Sequence, residues 1–101
     1  ALRVEPANPA VNFQLGKLYA ESGRRGQAEK HFLIVLEENP EDVQTHSALA
    51  TLFLEDPTRR AEALEHFLIL SRLEPAQAEY LEQNFIRPLR EKLGRKEETQ
   101  P

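Results

Sequence analysis

Two stretches of this chain nearly duplicate each other at an interval of 35 residues. Ala28-Glu29-Lys30-His31-Phe32-Leu33-Ile34 runs on to Pro40, and Ala63-Leu64-Glu65-His66-Phe67-Leu68-Ile69 runs on to Pro75. Self-similarity at this period is the mark of stacked units, each too small to bury its own apolar face. A small residue followed four positions later by an aromatic fits one face of a helix, and the proline gives each copy a stop. The repeat restricts the chain to helical units that pack on their neighbours. It also turns the search for function from chemistry towards surface.

The segments between the copies carry their own start and stop signals. Asn8-Pro9 predicts a helix start, since Asn caps free N–H groups and proline suits the first helical position. Val11, Leu15, Leu18 and Tyr19 then recur at helical spacing as the expected buried stripe, and Ser22-Gly23 closes the helix. A second helix is expected from about Arg24 to Glu38, with Ala28, Phe32, Val35 and Leu36 inward, stopped by Asn39-Pro40. Asp42 restarts the cycle, followed by Val43, Leu49, Leu52 and Phe53. Asp56-Pro57 opens a fourth helix to about Leu73, with Ala63, Phe67 and Leu70 inward. Pro6, Pro40 and Pro75 thus fall at intervals of 34 and 35 residues, and the extra residue is expected in the turn between Glu55 and Arg59.

After Pro75 the spacing of Ala78, Leu81, Phe85 and Leu89 predicts a further amphipathic helix, kinked or broken at Pro88, which lacks an N–H and crowds the preceding turn. Gly94 is expected to end the ordered part. Residues 95–101 offer nothing to bury and read as a disordered tail. Residues 1–6 read as the last turn of a preceding helix or a linker. With no methionine anywhere in the chain, the sequence is expected to be a piece of a longer or processed protein.

These residues resemble the tetratricopeptide repeat, whose signature is an aromatic, then Leu-Gly, Tyr, Ala, Phe and Pro across about 34 residues. Residues 7–40 match it through Leu15, Gly16, Tyr19, Ala28, Phe32 and Pro40; Asn12 stands where the family favours tryptophan, and Val35 replaces a small residue. Residues 41–75 match through Leu49, Ala50, Phe53, Ala63, Phe67 and Pro75, with His46 at the tryptophan position and Leu70 for the small residue. Residues 76–93 look like the helix that caps such arrays. The resemblance implies an all-α fold, a right-handed solenoid of antiparallel helix hairpins with about five helices.

Composition removes several function classes. The net charge of −4 argues against nucleic acid, which is bound through basic stripes, and against a helical repeat that reads RNA. The chain has no cysteine, so disulfide and thiol chemistry are absent. No apolar run approaches the ~18 residues that span a bilayer. A soluble protein is expected, with the cytoplasm slightly favoured. His31 and His66 occupy equivalent repeat positions and should lie a repeat apart, too far to share an ion, while His46 reads as a partly buried packing residue. No metal, cofactor or enzyme activity is expected, since neither a tight ligand shell nor a nucleophile with its base and orienting group is apparent.

The functional surface is therefore expected from geometry. In stacked hairpins the first helix of each pair lines the concave side. This places Phe13, Lys17 and Ala20, with Ser47, Thr51 and Leu54, along a groove for an extended or helical peptide. Phe13 equally fits packing on a preceding repeat or on the terminal segment. The carboxylate clamp of Lys, Asn and Arg found in this family is disfavoured, because Phe13 and Lys17 stand at its expected Lys and Asn positions while Ser47 and Thr51 bring no charge. Arg24, Arg25, Arg59 and Arg60 read as a solvated basic edge. The expected function is a non-enzymatic module that holds a protein or peptide partner as part of a larger scaffold or regulatory protein. The rival is a spacer or self-association unit, a homo-oligomer joined through exposed solenoid ends.

Overall fold

The computed structural model describes residues 8–98, and the side chains of residues 8–94. The expectations for residues 1–6 and for 99–101 fall outside the described residues. Within them the chain is all-helical. Helices α1 (Pro9–Glu21), α2 (Arg25–Glu38), α3 (Val43–Leu54) and α4 (Arg60–Leu73) are followed by α5 (Ala78–Leu81), a π segment (Glu82–Ile86) and α6 (Arg87–Glu98). Single 3₁₀ turns, Pro57–Arg59 and Pro75–Gln77, lead into α4 and α5.

The punctuation works as the sequence implies. Asn8 accepts from the Val11 N–H at 3.2 Å, and Asp42 from the Thr45 N–H at 3.1 Å, each satisfying a helix-start donor. Gly23, with φ 84, takes the left-handed conformation that lets the Arg24 N–H bond back to the Tyr19 carbonyl at 2.8 Å. The chain reverses there, so α1 packs on α2, and α3 packs on α4 in the same way.

Close approach within the first pair depends on one missing atom. A Cβ built on Gly16 would lie 2.6 Å from the Phe32 ring. Phe32 itself is 1% exposed. Its ring fills the gap that Gly16 leaves in α1. Ala50 occupies the corresponding place in α3, and Ala28 and Ala63 are completely buried. These residues, with Leu49, Phe53, Phe67 and Leu70, join Leu81, Ile86 and Leu89 in one apolar cluster running from α2 to α6.

An ionic contact ties the two pairs together at the edge. Arg59 donates to Glu29 of α2 at 2.6 and 2.9 Å and to Glu62 of α4 at 2.6 and 2.8 Å, while its guanidinium lies 4.2 Å from the Phe53 ring centre. Both forks of the guanidinium are used. These hydrogen bonds, Glu62 first and then Glu29, raise the Arg59 pKa above its ordinary value. Arg25 reaches Glu55 at 3.4 Å on the same side. The basic edge expected to be merely solvated is therefore in part a seam between the helix pairs.

Two elements depart from the sequence reading. In α1 the buried face is Asn12 and Gly16; Val11 and Leu18 are 53% and 61% exposed. The apolar spacing misled because this helix is packed through its smallest residue and one amide. At the C-terminal end, residues 78–98 form an unbroken helical run, and Pro88 is accommodated by the π segment before it. The Arg87 N–H bonds to the Glu82 carbonyl, five residues back. This widened turn gives room for a proline that an ordinary α turn would not. Inserting a residue there also brings Ile86 into the core beside Leu81 and Leu89. Gly94 does not end the helix, which continues to Glu98; a glycine within a helix costs only about 1 kcal/mol relative to alanine.

Gly16→Ala should destabilise the chain by roughly 1–3 kcal/mol through overpacking, and Phe32→Ala by roughly 3–5 kcal/mol through the cavity it leaves. The double variant should cost clearly less than the sum, because the methyl then occupies the space the ring vacates. Urea denaturation of the four proteins measures this coupling; additive costs would show that the two residues do not share the space.

Candidate functional site

The first helices of the two pairs, α1 and α3, border an open groove of about 470 Å³. Phe13, Lys17 and Ala20 line it from α1, and Ser47 and Thr51 from α3, so it gathers five of the six expected groove residues. Phe13 packs against Phe32 at 5.7 Å between ring centres, forming part of the apolar floor with Leu52 and Ala48. Lys17 extends over the Phe13 ring, with Nζ 5.6 Å from its centre. Thr51 donates to the Ser47 carbonyl at 3.0 Å, which leaves its hydroxyl oxygen able to accept.

Leu54 is not part of this groove. It packs against the apolar cluster on another side of α3, beside Arg60, Phe85 and Leu89. Leu54 holds the place in α3 that Ala20 holds in α1, but the C-terminal helices take up its side chain. Sequence reasoning missed Gln44, Glu21 and Glu55, which also line the groove. Helical spacing would have found them: Glu21 follows Lys17 by four residues, and Glu55 follows Thr51 by four.

Ser47 and Thr51 also border a second concavity of about 220 Å³, between α3 and the C-terminal helices. Phe67, Phe85, Tyr80, Leu81 and Glu74 are among its lining residues. Phe85, which belongs to the π segment, stacks on Phe67 at 4.5 Å, and Tyr80 meets Phe85 edge-on at 6.1 Å. The two hydroxyl residues thus form a polar ridge between two apolar depressions.

Each pair also holds a part-buried polar contact at the same repeat position. In the first, the His31 Nδ1–H donates to Asn12 Oδ1 at 2.8 Å, and His31 stacks on Tyr19 at 5.4 Å. In the second, His46 Nδ1 faces His66 Nδ1 at 2.9 Å, and His66 lies against Phe53 at 5.7 Å. His46 Nε2 bonds to the Pro40 carbonyl at 2.7 Å, which requires a proton on Nε2. Neutral His46 therefore accepts through Nδ1, and His66 donates through its own. The repeat put Asn12 and His46 at one shared position and His31 and His66 at another; it did not show that these positions meet. Among the described residues no group of three or more His, Asp and Glu side chains converges as a metal shell would.

Comparison with known proteins finds no matching family model, no matching curated protein and no matching solved structure. Among the described residues no helix is long and apolar enough to cross a membrane.

The His46–His66 contact makes stability pH-dependent with a definite sign. Burial first, then the facing His46 charge, lowers the His66 pKa below its usual value, while Glu62 and Glu29 act weakly in the other direction. A histidine lowered in the folded state supports folding above its unfolded value of about 6.5 and loses that support as pH falls through it. The urea midpoint should thus decline between pH 7 and pH 5. His46→Asn recreates the Asn12–His31 arrangement, in which the amide oxygen accepts from either charge state of His66, and by removing the facing charge should lessen that decline. An equal decline in the variant would assign it to the burial of His66 or to other groups, and not to the facing His46.

Proposed function

We propose that this chain is a protein-interaction module built as a right-handed solenoid of antiparallel helix hairpins, of the tetratricopeptide-repeat type, and that it binds a peptide or protein partner along α1 and α3. The observation that carries this reading is the groove of about 470 Å³ in which Phe13, Lys17, Ala20, Ser47 and Thr51 meet. All five lie on the first helix of a pair, at positions where the two repeats differ: Phe13 corresponds to Ser47 and Lys17 to Thr51. The positions that pack the pairs are alike, Ala28 with Ala63 and Phe32 with Phe67. A scaffold held by its repeated residues and addressed by its unrepeated ones is what a recognition surface on stacked helices requires.

Partner binding is non-enzymatic in this reading. The groove combines an aromatic floor with hydroxyl and amide groups that suit a peptide backbone, and it supplies no nucleophile paired with a base.

A second reading, self-association through an end of the array, is favoured by one observation: Val11 and Leu18 lie exposed seven residues apart on α1. The readings separate by mutation. Affinity capture with the intact protein should lose its specific partners on the double change Phe13→Glu and Lys17→Glu and keep them on Val11→Glu with Leu18→Glu. Sedimentation at several concentrations supplies the other arm. A dimer that dissociates only with the Val11 and Leu18 changes, together with capture indifferent to Phe13 and Lys17, overturns the groove reading.

A further inference from the structure

Resting on that reading, we infer that the groove's occupant is a peptide segment bearing two apolar anchor side chains and flanking lysine or arginine residues, laid across the Ser47–Thr51 ridge.

The geometry sets the number of anchors. The ridge residues line both depressions, so a chain crossing them passes from one to the other. The second depression, at about 220 Å³, is below the ~300–1,000 Å³ of small-molecule sites. It has the scale of a side-chain pocket, with the stacked Phe67 and Phe85 rings in its wall. An elongated ligand filling both depressions, with Thr51 accepting from its backbone, is a peptide.

Charge sets the flanking residues. Glu21 and Glu55 stand at the C-terminal ends of α1 and α3 and line one depression, where the last helix carbonyls add negative potential. Glu74 lines the other. Against these three carboxylates Lys17 is the one cation in the two linings. Among the described residues Glu21 and Glu74 have no ion pair. Glu55 has Arg25 at 3.4 Å, a contact with half or more of each side chain exposed, which is a weak pair that a ligand's cation can join. An acidic peptide or a phosphate backbone meets repulsion here. A second copy of this chain, with net charge −4, brings the wrong sign too.

Selection from a random 12-residue peptide library on the immobilised intact chain tests this, followed by fluorescence anisotropy of the selected synthetic peptides. The expected sequences carry two apolar residues with lysine or arginine nearby. Their affinity should drop about tenfold on the triple change Glu21→Gln, Glu55→Gln and Glu74→Gln, and should weaken with added salt. Phe13→Glu should weaken them as well, with the urea midpoint confirming that the variant is folded. Acidic or uncharged peptides that remain sensitive to Phe13→Glu would overturn the charge inference and leave the groove reading standing. Basic peptides indifferent to the triple change would do the same. A selection that yields no peptide sensitive to Phe13→Glu would overturn both.

Discussion

The placing of a full aromatic ring against a helix that offers no side chain, Phe32 over Gly16, sets the spacing of the first helix pair. Two helices ordinarily pack with axes 8–10 Å apart, the distance depending on the side chains at the contact. With hydrogen at Gly16 and methyl at Ala28, the separation is governed by Phe32. The ring then lies deep enough to touch both the core and the groove floor, where Phe13 packs on it. Core and groove thus share a side chain. Any change that lifts Phe32 moves the groove floor with it.

The second pair solves the same problem with different atoms. Ala50 replaces Gly16, and Ser47 replaces Phe13, so Phe67 has no aromatic neighbour from α3 corresponding to Phe13. Phe85 takes that part from the other side, stacking on Phe67 at 4.5 Å. The π segment is what delivers it. An added residue in that turn faces Phe85 to Phe67 and sends Ile86 into the core. The strain that Pro88 would impose on an α-helix is relieved in the same place where an aromatic of the second depression is positioned.

The limits of the first helices were legible in the sequence because they are set locally, whereas Gly94, read as a stop, lies inside a helix. Asn8-Pro9, Gly23, Asn39-Pro40 and Asp42 each act through their own backbone or the nearest turn. The inward residues of α2 and α4 were legible too, since Ala28, Phe32, Ala63 and Phe67 follow helical spacing in both copies. The face of α1 was not. Its apolar residues Val11 and Leu18 point outward while Asn12 is 4% exposed. Burial there is decided by a partner 19 residues away, the His31 imidazole, and hydropathy spacing carries no record of a hydrogen bond across a turn. The same blindness applied to His46 and His66, each readable alone and neither readable as a pair. In the groove, Phe13, Lys17, Ala20, Ser47 and Thr51 followed from the repeat, and Leu54 departed because Phe85 and Leu89 beyond the repeat take up its side chain.

The part-buried pairs also explain why the histidine positions can repeat when the residues opposite them do not. His31 and His66 each present an Nδ1–H towards the other helix of the pair, and what that donor needs is an acceptor. Asn12 supplies an amide oxygen and His46 a ring nitrogen. The two acceptors differ in one respect: the amide oxygen accepts whether or not its histidine is charged, whereas His46 must stay neutral at Nδ1 to accept at all. Of the two contacts, only the second therefore depends on its acceptor being a neutral ring. Since α3 carries both His46 and the Ser47–Thr51 ridge, the helix that separates the two depressions is also the one that supplies this acceptor.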